Sequence, residues 1–124
     1  MNCFMYQAKL YCQQCGLAIR AKLLTEGNAP TNPDDESTYC SRDYPKGPFP
    51  EGVGEADCPQ HCESGPDCIN AISINGTKVG IFLENELTFD GVQYVKNALR
   101  DNLYRSSVAL FWKDAYEDMG YDFS

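Results

Sequence analysis

The chain has 124 residues, 43% of them hydrophobic, and a formal net charge of −8. This length fits one compact domain, and a mean hydropathy of −0.44 argues against a large apolar core. No apolar run approaches the roughly 20 residues that a membrane helix needs, and residues 1–10 lack the pattern of a secretory signal. We therefore expect a cytoplasmic protein, of the producing cell or of its host, with no membrane association.

The negative charge is concentrated in one segment. Residues 26–67 contain ten acids and two bases, whereas the rest of the chain contains eight acids and eight bases. Such a surface repels phosphate groups and makes binding to nucleic acid unfavourable, while it favours a protein partner with a basic surface. The candidate partner-binding residues are the acidic runs Asp34, Asp35, Glu36, Glu55 and Asp57. The alternative interpretations of these runs are a mimic of nucleic-acid phosphates, a site for a divalent ion and a solvated loop.

The first predicted element is a strand that leads into a helix. Phe4, Tyr6, Ala8 and Leu10 alternate with more polar residues, which predicts a half-buried strand that reaches Cys12. Cys3 is out of phase with this alternation, so we expect its side chain to point away from the apolar face. Residues 17–24 have helical spacing, and Gly27 is a plausible end of that helix.

The acidic segment is predicted as a long loop. All seven prolines and five of the ten glycines lie within residues 26–67, and no hydrophobic period is visible there. Loops of this length are uncommon unless they are functional, disordered or tied down. Cys40 and Cys58 lie inside the segment, so a metal ion or a crosslink is one way to hold it in place.

Regular structure is predicted again after Cys68. The Asn75-Gly76 pair is typical of a type I′ turn and predicts a β-hairpin over residues 70–74 and 77–83. Thr88 or Asp90 is expected to cap a helix that runs to about residue 102, and Ser106 or Ser107 a last helix with one apolar stripe. The predicted fold is a single α+β, zinc-ribbon-like domain over residues 1–124, with a central β-hairpin and two C-terminal helices.

The seven cysteines indicate a metal site. An odd number of cysteines without a signal peptide argues against a pure disulfide framework. Cys12 and Cys15 are separated by two residues and followed by Gly16, the pattern of a zinc knuckle, in which both sulfur atoms converge on one ion. Structural zinc takes four ligands in a tetrahedron, and the best candidates for the second pair are Cys62 and Cys68, on either side of a turn-prone stretch.

Several alternatives remain for the other candidate ligands. His61 is the only histidine and can replace one of the cysteines, or it can form a second zinc site with Cys40 and Cys58. Cys40 and Cys58 can also form a disulfide or remain free thiols. A catalytic zinc would need an open coordination position and a general base such as Glu55 or Glu63. Since four cysteines are available, structural zinc is favoured over catalytic zinc.

Five stretches of the sequence resemble a group of small, uncharacterised zinc-ribbon-like proteins of bacteriophages and bacterial genomes. The resemblance is carried by residues 11–20, 44–48, 55–62, 82–88 and 90–95, and Gln60-His61-Cys62 is its most distinctive motif. It implies zinc as the cofactor and a phage or prophage origin, and it implies no mechanism. The last helix and Cys3 lie outside it.

Three functions follow from these observations. The first is a nonenzymatic, zinc-binding interaction protein that inhibits a host nucleic-acid-handling or defence protein through its acidic surface, as an anti-CRISPR protein does. The second is a nucleic-acid-binding zinc ribbon, for which Arg20, Lys22, Lys78 and Lys96 would have to cluster in space. The third is a metal-dependent hydrolase. The oligomeric state does not follow from the sequence.

Overall fold

The computed structural model describes residues 1–50, 54–101 and 107–124 and has an α+β fold. The described helices are α1 (Gln13–Thr25), α2 (Phe89–Asp101) and α3 (Ser107–Asp118). The strands are β1 (Cys3–Tyr6), β2 (Lys9–Cys12), β3 (Lys46–Phe49), β4 (Glu55–Ala56), β5 (Ile72–Ile74), β6 (Thr77–Val79) and β7 (Glu86–Leu87). They form one sheet of order β2-β1-β3, a parallel pair β4-β7 and an antiparallel pair β5-β6.

The predicted first strand is in fact two antiparallel strands. β1 and β2 pair in the register Cys3 to Cys12, and the chain reverses at Gln7 and Ala8, which both have positive φ. The prediction of one strand was wrong because neither residue is a typical turn former, although the backbone N–H of Gln7 is satisfied by the carbonyl of Ser41. The reversal brings Cys12 back beside the start of the chain.

The predicted long loop over residues 26–67 contains two short strands in the structure. β3 completes the first sheet by pairing with β1, and β4 pairs with β7. Arg20 of α1 ties down the stretch before β3, because its guanidinium donates to the carbonyl of Pro45 and to the hydroxyl of Tyr39. The carboxylate of Glu36 accepts from the backbone N–H of Gly47 at 2.7 Å.

The Asn75-Gly76 pair lies between β5 and β6. Both residues have positive φ, as a type I′ turn requires, and Ile74 faces Thr77 in the antiparallel register. Each strand is shorter than its predicted range. The chain then passes Gly80, where an added Cβ would lie 2.0 Å from the carbonyl oxygen of Cys62, so this close approach requires glycine.

The C-terminal helices enclose an apolar core. As predicted, Thr88 caps α2, since its hydroxyl accepts from the backbone N–H of Gly91 at 3.1 Å. Val95 and Tyr116 are fully buried in this core. Whether Ser106 caps α3 lies outside the described residues. Within the part of the chain that the structure describes, no helix has the length and apolar character needed to cross a membrane.

Two adjacent residues link this core to a second one. Phe82 packs in the core between α2 and α3, whereas the next residue, Leu83, packs against a cluster of cysteines. Asn85, which is 2% exposed, also joins the two cores. Its amide oxygen accepts from the backbone N–H of Gln60, close to Cys62 in the chain, and from the hydroxyl of Tyr116 in α3. The cysteine cluster therefore sits on one side of a continuous packed interior.

Candidate metal centre

Four cysteine sulfur atoms meet in the interior of the protein. The Sγ atoms of Cys12, Cys15, Cys62 and Cys68 all lie within 4.8 Å of one another, and all four residues are buried. Among the described residues, this is the group of cysteine, histidine and acidic side chains that can hold a metal ion. It consists of the four residues that the spacing of the cysteines predicts.

Local structure brings the first pair together. Cys12 ends β2 and is the N-cap residue of α1, and Cys15 lies in the first turn of that helix. Gly16 follows within the helix, and its φ is not positive. Glycine is needed there for a different reason, because an added Cβ would lie 2.3 Å from the ring of the fully buried Phe4. α1 can therefore pack closely on β1.

Consecutive turns bring in the second pair. The backbone N–H of Cys62 donates to the carbonyl of Ile81, and the N–H of the next residue, Glu63, donates to the carbonyl of Leu10 in β2. A short 3-10 turn over Gly65–Asp67 then reverses the chain, and the N–H of Cys68 donates to the carbonyl of Gly65. The turn-prone stretch between the two cysteines thus directs both sulfur atoms to the same point.

The distances between the sulfur atoms suit a tetrahedral ion. Zinc–sulfur bonds of about 2.3 Å in a regular tetrahedron place the sulfur atoms roughly 3.8 Å apart. Cys12 Sγ and Cys68 Sγ are 3.7 Å apart, and the widest separation in the cluster is at most 4.8 Å. A shift of about 1 Å in the most distant side chain would complete the coordination sphere. The cluster therefore fits a metal ion of this size and ligand preference.

Hydrogen bonds to the sulfur atoms already favour negative charge. The backbone N–H of Cys12 donates to Cys62 Sγ, and that of Ile69 donates to Cys15 Sγ, each at 3.3 Å. Asn70 Nδ2 lies 3.9 Å from Cys12 Sγ. Asn70 was not among the predicted site residues, because only the fold brings its side chain beside Cys12, 58 positions earlier in the chain.

The pKa values of the clustered thiols explain why a cation would stabilise them. Burial raises the pKa of the Cys12 thiol to about 12, and burial also raises the pKa of Cys62. Burial opposes ionisation at Cys15 too, but hydrogen bonds from the Ile69 backbone and the Ser64 side chain outweigh it and lower the pKa of that thiol. Ionisation is thus favoured at Cys15 and opposed by burial at Cys12 and Cys62, and a bound dication would stabilise the thiolates together.

Cys3 contradicts the sequence prediction. It is 0% exposed and packs in the same cluster as the four candidate ligands, although it was expected to point away from the apolar face. Its neighbour Phe4 is also 0% exposed. Both can be buried because β1 is the middle strand of its sheet and is covered on both faces. Burial raises the pKa of the Cys3 thiol, and its Sγ contacts the carbonyl of Met1.

His61 does not join the cysteine cluster. Its Nε2 accepts from the indole N–H of Trp112 at 2.9 Å, so Nδ1 carries the proton and donates to the carbonyl of Gly80 at 2.8 Å. Burial lowers the pKa of this imidazole, which agrees with a neutral ring. Both nitrogens are therefore occupied, one by Trp112 of α3 and one by Gly80, and His61 is not placed to bind metal.

The remaining two cysteines do not form a second site within the described residues. Cys40 is exposed and Cys58 is half-buried, and neither is in a disulfide. The Sγ of Cys58 accepts from Gln60 Nε2 at 3.2 Å. The predicted second zinc site of Cys40, Cys58 and His61 is absent from the groups that can hold metal in residues 1–50, 54–101 and 107–124. The free-thiol alternative describes both cysteines.

The five candidate acidic residues fall into two groups with different surroundings. Asp35 accepts from both the backbone N–H and the hydroxyl of Ser37, which lowers its pKa, and Glu36 accepts from Gly47. Their neighbour Asp34 is exposed. Residues 34–36 thus help to order their own segment.

The second acidic group lies at the β4-β7 pair. Glu55 is the register partner of Glu86, and both side chains are exposed. Asp57 follows β4 and accepts from the hydroxyl of Thr88 at 2.6 Å. Glu86 was missed by the sequence analysis, because only the strand pairing brings it beside Glu55.

Comparison with known proteins does not assign the chain to a family. No family model, no curated protein and no solved structure matches the chain. The resemblance to zinc-ribbon-like proteins of bacteriophages and bacterial genomes therefore rests on the motifs quoted above alone.

Proposed function

We propose that the protein is a nonenzymatic interaction protein, with a zinc-ribbon-like fold closed by one structural zinc ion. The observation that carries this proposal is the meeting of four buried cysteine sulfur atoms within 4.8 Å. Four thiolates fill the tetrahedral coordination of zinc and leave no position for the water that a catalytic zinc needs. This supports a structural role for the ion and argues against the hydrolase alternative.

Zinc would act as a clamp between distant parts of the chain. Cys12 and Cys15 belong to the β2–α1 junction, whereas Cys62 and Cys68 belong to the turns that precede β5. Metal–thiolate bonds supply folding free energy that a modest apolar core does not. Without the ion, the two segments that carry these buried thiols would lose the bonds that join them.

The surface around β4 and β7 would contact the partner. Like charges on neighbouring strands repel each other, and Glu55 and Glu86 are register partners in the parallel β4-β7 pair, with Asp57 close by in the chain. A basic partner would relieve this repulsion on binding, and the association would weaken as salt is added. Inhibition of a defence protein or another nucleic-acid-handling protein in a phage-infected cell is a specific form of this proposal, supported by the sequence resemblance.

The nucleic-acid alternative has less support. It needs Arg20 on a basic surface, but the guanidinium of Arg20 lies over the rings of Phe4 and Tyr44, at 4.9 Å and 5.1 Å from their centroids. The same group donates to the backbone carbonyl of Pro45. Arg20 is therefore occupied inside the protein and is not presented to a phosphate.

Removal of zinc tests the clamp. Purified protein is treated with a strong zinc chelator under reducing conditions, and its far-UV circular dichroism is recorded before and after zinc is restored. We expect loss of the ordered signal on chelation and recovery with one equivalent of zinc. A spectrum that does not change when all zinc has been removed would contradict the clamp.

A defined basic probe tests the surface. Binding of octalysine is measured by calorimetry over a salt series, first to the wild type and then to the variant E55Q/D57N/E86Q. We expect the variant to lose at least about tenfold in affinity. The matched control D101N/D114N/D118N changes the charge equally at exposed positions on α2 and α3. Equal losses in the two variants would show that net charge alone attracts the probe and would contradict a specific surface.

A further inference from the structure

A fifth cysteine lies beside the candidate metal centre. Cys3 is fully buried and packs in one cluster with the four candidate ligands, Cys12, Cys15, Cys62 and Cys68. The group of sulfur atoms that lie within 4.8 Å of one another does not include that of Cys3. Since structural zinc takes four ligands, the Cys3 thiol would stay unbound when those four cysteines hold the ion.

The strand register places Cys3 directly opposite Cys12. The two residues are partners in the antiparallel β1-β2 pair, so their side chains lie on the same face of the sheet. The backbone N–H of Cys12 donates to Cys62 Sγ, and the carbonyl of Cys3 faces β3, where an added Cβ on Gly47 would lie 2.7 Å from it. Cys3 and Cys12 are therefore a non-hydrogen-bonded pair, in which the Cα atoms are about 4.5 Å apart. This distance falls within the roughly 4.4–6.8 Å that a disulfide spans.

A polar pocket of about 340 Å³ reaches Cys12. Its walls include four amide side chains, which are hydrogen-bonded in two pairs: Asn2 to Gln13 at 2.7 Å, and Asn70 to Gln14 at 2.9 Å. Asn70 Nδ2 also lies 3.9 Å from Cys12 Sγ, and Gln14 is exposed. A small, polar, uncharged molecule such as hydrogen peroxide therefore has a path from solvent to the sulfur atom of a candidate ligand.

We propose that Cys3 is the thiol that reacts with Cys12 when hydrogen peroxide oxidises the metal centre, an inference that rests on the proposed zinc clamp. The Cys12 thiolate attacks one oxygen of the peroxide, the O–O bond breaks, and a sulfenic acid and hydroxide form. The Cys3 sulfur then bonds to the Cys12 sulfur, and the thiol proton leaves with the sulfenic hydroxyl as water. The two sulfur atoms together lose two electrons, which reduce the peroxide, and the oxidation state of the metal ion does not change.

Cys3 differs from the other cysteines near Cys12 in being unbound. Cys15, Cys62 and Cys68 would each share an electron pair with the ion, which lowers the basicity and the nucleophilicity of their sulfur atoms. The two-residue turn of the β1-β2 hairpin already holds Cys3 opposite Cys12, so little chain entropy is lost when the disulfide closes this short loop. The disulfide would remove one of four ligands and weaken zinc binding, and a reductant would restore the clamp.

Peroxide treatment of the reduced, zinc-loaded full chain tests the proposal. Released zinc is measured with a chromogenic indicator, the remaining thiols are blocked, and disulfides are mapped by mass spectrometry of proteolytic peptides. We expect a Cys3–Cys12 disulfide as the main product and zinc release in proportion to it. The proposal is overturned if zinc stays bound, if it is lost without a disulfide, or if Cys12 is joined mainly to Cys15 or Cys68. Zinc content before the treatment tests the clamp separately: protein without zinc contradicts the clamp, whereas zinc-loaded protein that gives another product contradicts only the role of Cys3.

Two variants make the result specific to Cys3. Cys3→Ala should bind zinc as the wild type does, but its Cys12 sulfenic acid lacks the nearby thiol and is oxidised further to a sulfinic acid, which a thiol reductant does not reverse. The fraction of zinc binding that the reductant restores should therefore fall at least about twofold relative to the wild type. Cys58→Ala removes a half-buried thiol outside the cluster and should recover as the wild type does. Full recovery in C3A, or an equal loss in C58A, would overturn the proposal, and the disulfide map of the wild type depends on neither variant.

Discussion

Replacing Asn85 by alanine should remove the polar connection between the segment before Cys62 and the C-terminal core. The Asn85 amide oxygen accepts from Gln60 N and Tyr116 Oη, and Nδ2 donates to the carbonyls of Cys58 and Glu86, at 2.9 to 3.2 Å. Each buried group left without a partner costs about 1–3 kcal/mol. Since some of the four partners can reach water, we expect the free energy of unfolding to fall by roughly 3–5 kcal/mol.

Urea unfolding in the presence of zinc measures this loss. Tyr116→Phe removes one of the four hydrogen bonds and should cost about 0.5–1.5 kcal/mol. The two changes together should cost less than their sum, because they share a contact. Asn97→Ala, at an exposed position of α2, is the matched control and should change stability by less than about 0.5 kcal/mol. A loss below about 1 kcal/mol in N85A would refute this account of the connection.

Three further changes test other contacts. Gly16→Ala should destabilise the protein by about 1–2 kcal/mol, since the clash of its Cβ with Phe4 outweighs the gain in helix propensity. Arg20→Met should cost about 1.5–3 kcal/mol, because it removes the hydrogen bonds that hold the stretch before β3. Ser37→Ala should raise the pKa of Asp35 part of the way toward its ordinary value of 3.8, because it removes the hydrogen bond from the Ser37 hydroxyl, while the bond from the backbone N–H of residue 37 remains. Urea unfolding measures the first two changes and an NMR titration the third.

Matched changes serve as controls for these three. Ala21→Gly on the exposed side of α1 measures helix propensity alone, and a stabilising effect of G16A would contradict the close packing on Phe4. Lys22→Met removes an exposed cation from the same helix and should change the free energy of unfolding little. If R20M lowered that free energy no more than K22M does, the anchoring role of Arg20 would be contradicted. A depressed carboxyl pKa stabilises the fold above pH 4 or so, and that contribution is lost as the pH falls through the folded-state pKa. A normal pKa for Asp35 in the wild type would contradict the effect of its hydrogen bonds from Ser37.

Local signals in the sequence predicted some elements well. Thr88 lies immediately before the apolar period of α2, and a hydroxyl at that position satisfies a free N–H whatever the rest of the fold does. The four cysteines were identified for a similar reason. The two-residue spacing of Cys12 and Cys15 makes their sulfur atoms converge locally, and the turn-prone residues between Cys62 and Cys68 do the same for the second pair.

Features that depend on tertiary contacts were missed. β3 contains Gly47 and Pro48, which disfavour a strand, and it forms because β1 and Arg20 lie beside it. β4 is two residues long and exists only as the partner of β7. The burial of Cys3 follows from the position of β1 in the middle of its sheet, which no alternation within residues 3–10 reveals.

The most direct test of the zinc centre is the number of zinc ions per chain, measured by native mass spectrometry on reduced protein. We predict one tightly bound zinc in the wild type, lost together with folding in Cys12→Ser and Cys62→Ser. Cys40→Ser, at the exposed cysteine outside the cluster, should keep one zinc and the fold. Folded, fully reduced wild-type protein without zinc, or C12S and C62S variants that keep both metal and fold, would contradict the zinc clamp.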